Sequence, residues 1–221
     1  MTGLRFRASR SAGDVSALVT RPKDARWMLV LAHGAGAGME HPFMGSLVAS
    51  LATRGVGSFR YQFPYVERGS RRPDPAPILE ATVRSAVEAA AAFTGELPLL
   101  AGGKSMGGRM TSRAAAREPL EEVRGIVFFG FPLHAIGKPG SERGDHLNDV
   151  EAPMLFLQGS RDRLADLGLL EPVVERLGAR ATLHVVEGAD HSFHVPVRSG
   201  RTDAEVIDEL SDETARWAAA L

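Results

Sequence analysis

Cysteine is absent from this 221-residue chain, which excludes disulfides, thiol nucleophiles and thiolate metal sites together. No apolar run is long enough to span a bilayer. Neither sign of charge is in excess: 26 Lys and Arg stand against 27 Asp and Glu, a net −1. The basic footprint of a nucleic-acid-binding protein is therefore not encoded. The first ten residues carry Arg5, Arg7 and Arg10 but lack the apolar core of a secretory signal. Internal repeats and low-complexity tails are missing too. These absences lead to the expectation of a cytoplasmic protein with no membrane and no nucleic-acid partner. At 44% apolar residues, the expected organisation is a single domain over residues 1–221 around one sizeable core.

What is present is an alternation of short apolar runs and helical segments. Arg5–Ala8 and Val15–Thr20 read as two strands joined by the polar turn at Ser11–Asp14. The run Trp27–Ala32 (WMLVLA) is continuously apolar, as in strands buried on both faces of a parallel sheet. Further strands are expected at Val56–Tyr61, Leu97–Ala101, Val123–Phe129, Met154–Gln158 and Thr182–Val186. Helical spacing is expected over Pro42–Thr53, from Pro77 to about Phe93, and over Arg109–Arg117, Leu164–Leu177 and Asp203–Leu221. Residues 62–77 read as a proline- and arginine-rich loop, and Gly130–Val150 as an irregular stretch. The alternation predicts an α/β three-layer sandwich: a mostly parallel central sheet, helices on both faces and antiparallel strands at the N-terminal edge. In such sheets chemistry collects beyond the carboxyl ends of the strands.

The unusual residues of the chain fall at those ends. Gly103-Lys104-Ser105-Met106-Gly107 lies between an apolar strand and a helix. A G-x-S-x-G at such a turn holds a serine hydroxyl exposed above the sheet. Side chains at either flanking glycine would collide with the neighbouring strand or helix. A hydroxyl needs a base to become a nucleophile, and His191, in Gly188-Ala189-Asp190-His191, follows the last strand. An acid is needed to orient that imidazole, and Asp162 follows the preceding strand. His194 is the alternative base, and Asp166 and Asp190 are alternative acids. Asp190 is the poorer of these, because adjacent side chains on extended backbone point apart. An oxyanion would be met by the backbone N–H of Met106 and by one from the His33–Gly38 loop, with Ala35 expected and Gly36 close behind.

Rival readings fail on spacing. A phosphate-binding P-loop ending at Lys104-Ser105 needs glycine at position 98, which is Pro98. The pattern G-x-G-x-x-G starting at Gly34 meets Met39 in its last place. His191 and His194 form an H-x-x-H pair without the companions of a zinc site. His33 and His41 read as structural. Arg68, Arg71 and Arg72 read as a solvated loop, with contact to an acidic substrate as the sharper alternative. Lys104 fits either an exposed elbow residue or a source of positive potential beside the nucleophile.

The segments LAHGAG, GGKSMGGRM, LFLQGSRD and GADHSF resemble the α/β-hydrolase superfamily, and within it small hydrolases related to dienelactone hydrolase. The resemblance runs from about Trp27 onward. It implies Ser105, Asp162 and His191 as a catalytic triad, and a serine hydrolase acting on a small-molecule ester or thioester with no cofactor and no metal. Two alternatives accompany that implication: a catalytically silent interaction domain and an acyltransferase using the same acyl-enzyme. The polar stretch Gly130–Val150 is too short for an apolar lid, so the site is expected to be open.

Overall fold

The computed structural model describes residues 1–221. An eight-stranded sheet runs through it, and continuous apolar runs set its centre. Strands β1 (Thr2–Ser9) and β2 (Gly13–Thr20) form an antiparallel hairpin. β3 (Trp27–Ala32), β4 (Val56–Tyr61), β5 (Leu99–Lys104), β6 (Val123–Phe129), β7 (Met154–Gly159) and β8 (Ala181–Val186) follow. Their order across the sheet is β1-β2-β4-β3-β5-β6-β7-β8, antiparallel through β4 and parallel from there on. Every residue of β4 and β7 is buried, as expected for strands covered on both faces.

Helices α1 (Pro42–Ala52), α2 (Pro64–Glu67), α3 (Ala76–Thr94), α4 (Met106–Arg117), α5 (Leu167–Leu177) and α6 (Asp203–Ala218) complete the layers. The strand pleat divides the core in two. Met28, Val30 and Ala32 point to the side of α3, α4 and α5, whereas Leu29 and Leu31 point to the side of α1 and α6. The predicted three-layer architecture is what the structure has. None of its helices is long and apolar enough to cross a membrane.

Several boundaries differ from the sequence expectation, each for a physical reason. β5 is shifted toward the elbow, because Gly102 and Gly103 pair with Val127 and Phe128 on one side and Leu31 and Ala32 on the other. α4 starts at Met106 rather than Arg109. Gly107 and Gly108 are poor helix formers in isolation, yet they are packed here against the backbones of Ala32 and Gly103. α5 starts at Leu167, because Asp162 and Asp166 hold the preceding turn: Leu164 N–H donates to Asp162 Oδ1 and Gly168 N–H to Asp166 Oδ1. The 62–77 loop contains the short α2, which begins at Pro64. α6 ends before Leu221, which is exposed, and its N-terminus is closed by a capping box of Thr202 and Glu205.

The irregular stretch after β6 contains a 3-10 helix at Glu142–Asp149. Leu133, Leu147 and Val150 are buried in the core beside α4, and Ser112 of α4 is hydrogen-bonded to His146 at 2.8 Å. The segment is thus pinned to the flank of the sheet and forms no lid.

Candidate active site

Three strands deliver three side chains to one place beyond the carboxyl edge of the sheet. Ser105 follows β5 at a turn with φ +51° and ψ −116°, a positive φ that a non-glycine residue rarely adopts. Its backbone N–H donates to Phe129 O at 3.1 Å, fixing the turn to the end of β6. The space around the turn is filled by main chain. A Cβ at Gly103 would lie 2.4 Å from Ala32 O, and one at Gly107 would lie 2.5 Å from the same oxygen and 2.7 Å from His33 O.

His191 and Asp162 meet this serine in a hydrogen-bonded chain. Ser105 Oγ lies 2.8 Å from His191 Nε2, and His191 Nδ1 lies 2.7 Å from Asp162 Oδ2. Asp162 is held by two more donors: Gln158 Nε2 at 2.5 Å on Oδ2, and Leu164 N–H at 2.8 Å on Oδ1. The carboxylate accepts from all three, and its side chain is fully buried. With Nδ1–H donated to Asp162, Nε2 is left as an acceptor for the serine proton. Such an arrangement activates a hydroxyl and stores its proton on an oriented imidazole.

The alternative candidates are engaged elsewhere. His194 is exposed and pairs with Asp203 at 2.9 Å, so the H-x-x-H residues turn to different carboxylates. Asp166 caps α5. Asp190 Oδ1 accepts from Ser192 N–H at 2.8 Å and His194 N–H at 3.1 Å, which shapes the turn presenting His191. His41 caps α1 by accepting from Phe43 N–H. Arg68 pairs with Asp74 at 2.6 Å, and Arg71 and Arg72 are exposed; none of the three lines the cavity beside Ser105.

That cavity, of about 330 Å³, is lined by Gly34, Ala35, Ser105 and His191. Phe43, Met44 and Leu164 supply apolar wall. Ala35 lies in an exposed turn, Met106 at the first position of α4, where a backbone N–H has no partner within the helix. Ala35 and Ser105 thus line the same cavity, and Met106 directly follows the serine. The loop bearing Ala35 is braced by His33, which is fully buried. Its Nε2 accepts from Phe63 N–H at 3.1 Å, so its Nδ1–H donates to Gly34 O at 2.8 Å. Burial pulls this histidine down to about 4, leaving the ring neutral and the loop geometry fixed through the neutral range. Gln62 Oε1 adds a second brace by accepting from Met39 N–H.

The family model described as "Alpha/beta hydrolase domain" matches residues 25–219. The chain belongs to this alpha/beta hydrolase family. Among solved structures, the fold is shared with a serine hydrolase without lid from Xanthomonas campestris (21% identity, TM-score 0.77, 98% of this chain and 94% of that one). It is shared equally with a dienelactone hydrolase from Anabaena variabilis (19% identity, TM-score 0.75, 98% and 96%). A Mycobacterium tuberculosis protein named "Putative phosphoribosyl transferase" is 30% identical over 188 residues, 82% of this chain and 40% of that one. The chain thus spans two fifths of the length of that relative.

Two residues of the site were not expected from the sequence. Gln158 is the lone polar side chain in the buried run MLFLQG, four residues before Asp162; a buried amide at a strand's carboxyl end is the signal that marks it. Gly130 has φ +76°, and a Cβ there would lie 3.2 Å from Lys104 Nζ and 3.5 Å from the His191 ring.

Proposed function

We propose that this alpha/beta hydrolase family member is a serine hydrolase that cleaves a carboxylic ester or thioester through an acyl-serine intermediate. The observation carrying this reading is the unbroken chain from Ser105 through His191 to Asp162, opening on a cavity at the serine. His191 Nε2 takes the hydroxyl proton as Ser105 Oγ attacks the carbonyl carbon. The N–H groups of Met106 and Ala35 stabilise the tetrahedral oxyanion. His191 then gives its proton to the departing alcohol or thiol. Water enters, loses a proton to His191, and releases the acid from Ser105 by the same steps in reverse.

Covalent labelling with a fluorophosphonate probe, followed by mass mapping, tests the nucleophile. Wild type is expected to carry the label on Ser105, and Ser105→Ala to carry none. A folded wild-type sample that resists the probe overturns the reading in favour of a silent domain.

The cavity is small and without a lid, which supports short or soluble acyl groups over long lipid chains. In a p-nitrophenyl ester series, kcat/KM is expected to be highest for short acyl groups and to fall as the chain lengthens; an optimum on long acyl chains contradicts this. Transfer to an acceptor other than water would use the same acyl-enzyme. The transferase name of the mycobacterial relative describes a protein of which 60% lies beyond the matched part, and the residues gathered around Ser105 suit acyl chemistry.

A further inference from the structure

Lys104 immediately precedes the nucleophile, yet its amine reaches the base. Lys104 Nζ donates to the backbone carbonyl of His191 at 2.6 Å, a contact between residues 87 apart in sequence. The same amine sits over two aromatic rings, 5.8 Å from the Phe43 centroid and 5.4 Å from that of Phe193. These rings stack on one another at 5.8 Å with an interplanar angle of 13°. Phe193 lies two residues after His191 and holds a φ of +64°, so the turn carrying the base is strained and needs external support. Gly130, at the end of β6, leaves open the space bounded by Lys104 Nζ and the His191 ring.

We propose that Lys104 is a positioning residue for His191: a strap from the elbow to the base's own carbonyl that sets the Ser105–His191 approach. The proposal rests on the hydrolase reading above. Because strap and nucleophile are neighbours in the chain, the serine and the carbonyl of its base are fixed to a single backbone unit. Displacement of either by about 1 Å can cost on the order of 100-fold in rate.

The strap is made by a charged donor. The charged groups facing it are Asp162 after β7 and Asp190 in the turn after β8, both of which favour its protonated form. The His191 ring is the titratable neighbour across Gly130, and from α1 the aromatic face of Phe43 meets it. Burial lowers Lys104 to about 8, so it remains mostly protonated at neutral pH and fully so in acid.

Lys104→Met and Lys104→Arg separate this role from simple support. Methionine keeps the length and packs its thioether on the two rings, so the variant is expected to remain folded. Its kcat should fall by about 10- to 100-fold with KM changed less than about twofold. Arginine, keeping charge and donor, should recover part of kcat. A Lys104→Met enzyme with wild-type kcat overturns the proposal. So does a loss of rate that merely follows a loss of Tm and is not relieved in Lys104→Arg. Imidazole NMR of His191 gives a readout that needs no turnover: at fixed pH its signals should shift and broaden in Lys104→Met, and unchanged signals refute the strap. Should wild type resist the fluorophosphonate probe while the His191 signals still respond to Lys104, the hydrolase reading fails and the strap stands.

Discussion

Replacing Asp162 with asparagine is expected to lower kcat by about 10⁴-fold and leave KM nearly unchanged. The reason lies in the three donors that converge on this carboxylate. Oδ2 accepts from His191 Nδ1 and Gln158 Nε2, and Oδ1 accepts from Leu164 N–H. An amide cannot accept on both sides. With its NH₂ group at the Oδ2 position it faces two donors, and His191 must turn or take the other tautomer, placing a proton on Nε2 where the serine proton should go. With NH₂ at the Oδ1 position it opposes the Leu164 N–H, and the turn leading to α5 must open. Both arrangements leave a buried donor unpaired, at a cost of about 1–3 kcal/mol. The variant should therefore lose some thermal stability as well as activity. Steady-state kinetics, together with the rate of fluorophosphonate labelling, check this. Activity within tenfold of wild type would assign the orienting role to another acid.

The second large effect concerns backbone rather than chemistry. Gly107→Ala is expected to destabilise the protein by about 3 kcal/mol, enough to lower Tm by roughly 10 °C for a chain of this size. The added methyl would lie 2.5 Å from Ala32 O, 2.7 Å from Ala32 C and 2.7 Å from His33 O. All three are main-chain atoms, so no side chain can swing aside. Relief requires α4 to move away from the end of β3, which separates Ser105 from the Ala35 loop. Residual folded enzyme should accordingly show a lower kcat. Gly45→Ala in α1, where a Cβ meets nothing within 4 Å, is the matched control and should not lose stability. Thermal unfolding of the two variants decides the matter; equal Tm values for both would mean the elbow yields more easily than its packing indicates.

The sheet was legible where burial is two-sided. β3, β4 and β6 match the expected runs residue for residue, since a strand covered by helices on both faces must be apolar throughout. The elbow was harder. Glycines 102, 103, 107 and 108 read as loop by propensity, and their place in a strand and a helix is decided by close approach to neighbouring main chain. Ser105, Asp162 and His191 were found because each follows its own strand in nucleophile–acid–base order, and the structure brings the three into hydrogen-bond contact. Lys104 was not resolved, because its partner lies 87 residues away and no local pattern records that contact. Gln158 and Gly130 escaped for the same reason: their meaning is the side chain opposite them. The pairing of Arg68 with Asp74 is likewise a property of how the loop folds back, invisible in its composition.

The order of the strands has a consequence for the life of the chain before it is complete. Ser105 arrives with β5, but its base lies beyond β8, at the end of the sheet, and the intervening acid follows β7. While residues 106–190 are still being made, Ser105 stands without His191, the imidazole that meets it in the folded chain. On the hydrolase reading, Ser105 would become reactive only after β8 has docked on β7 and the turn behind it has brought His191 to the serine. Until then, a chain with β5 in place would hold a serine hydroxyl without its base.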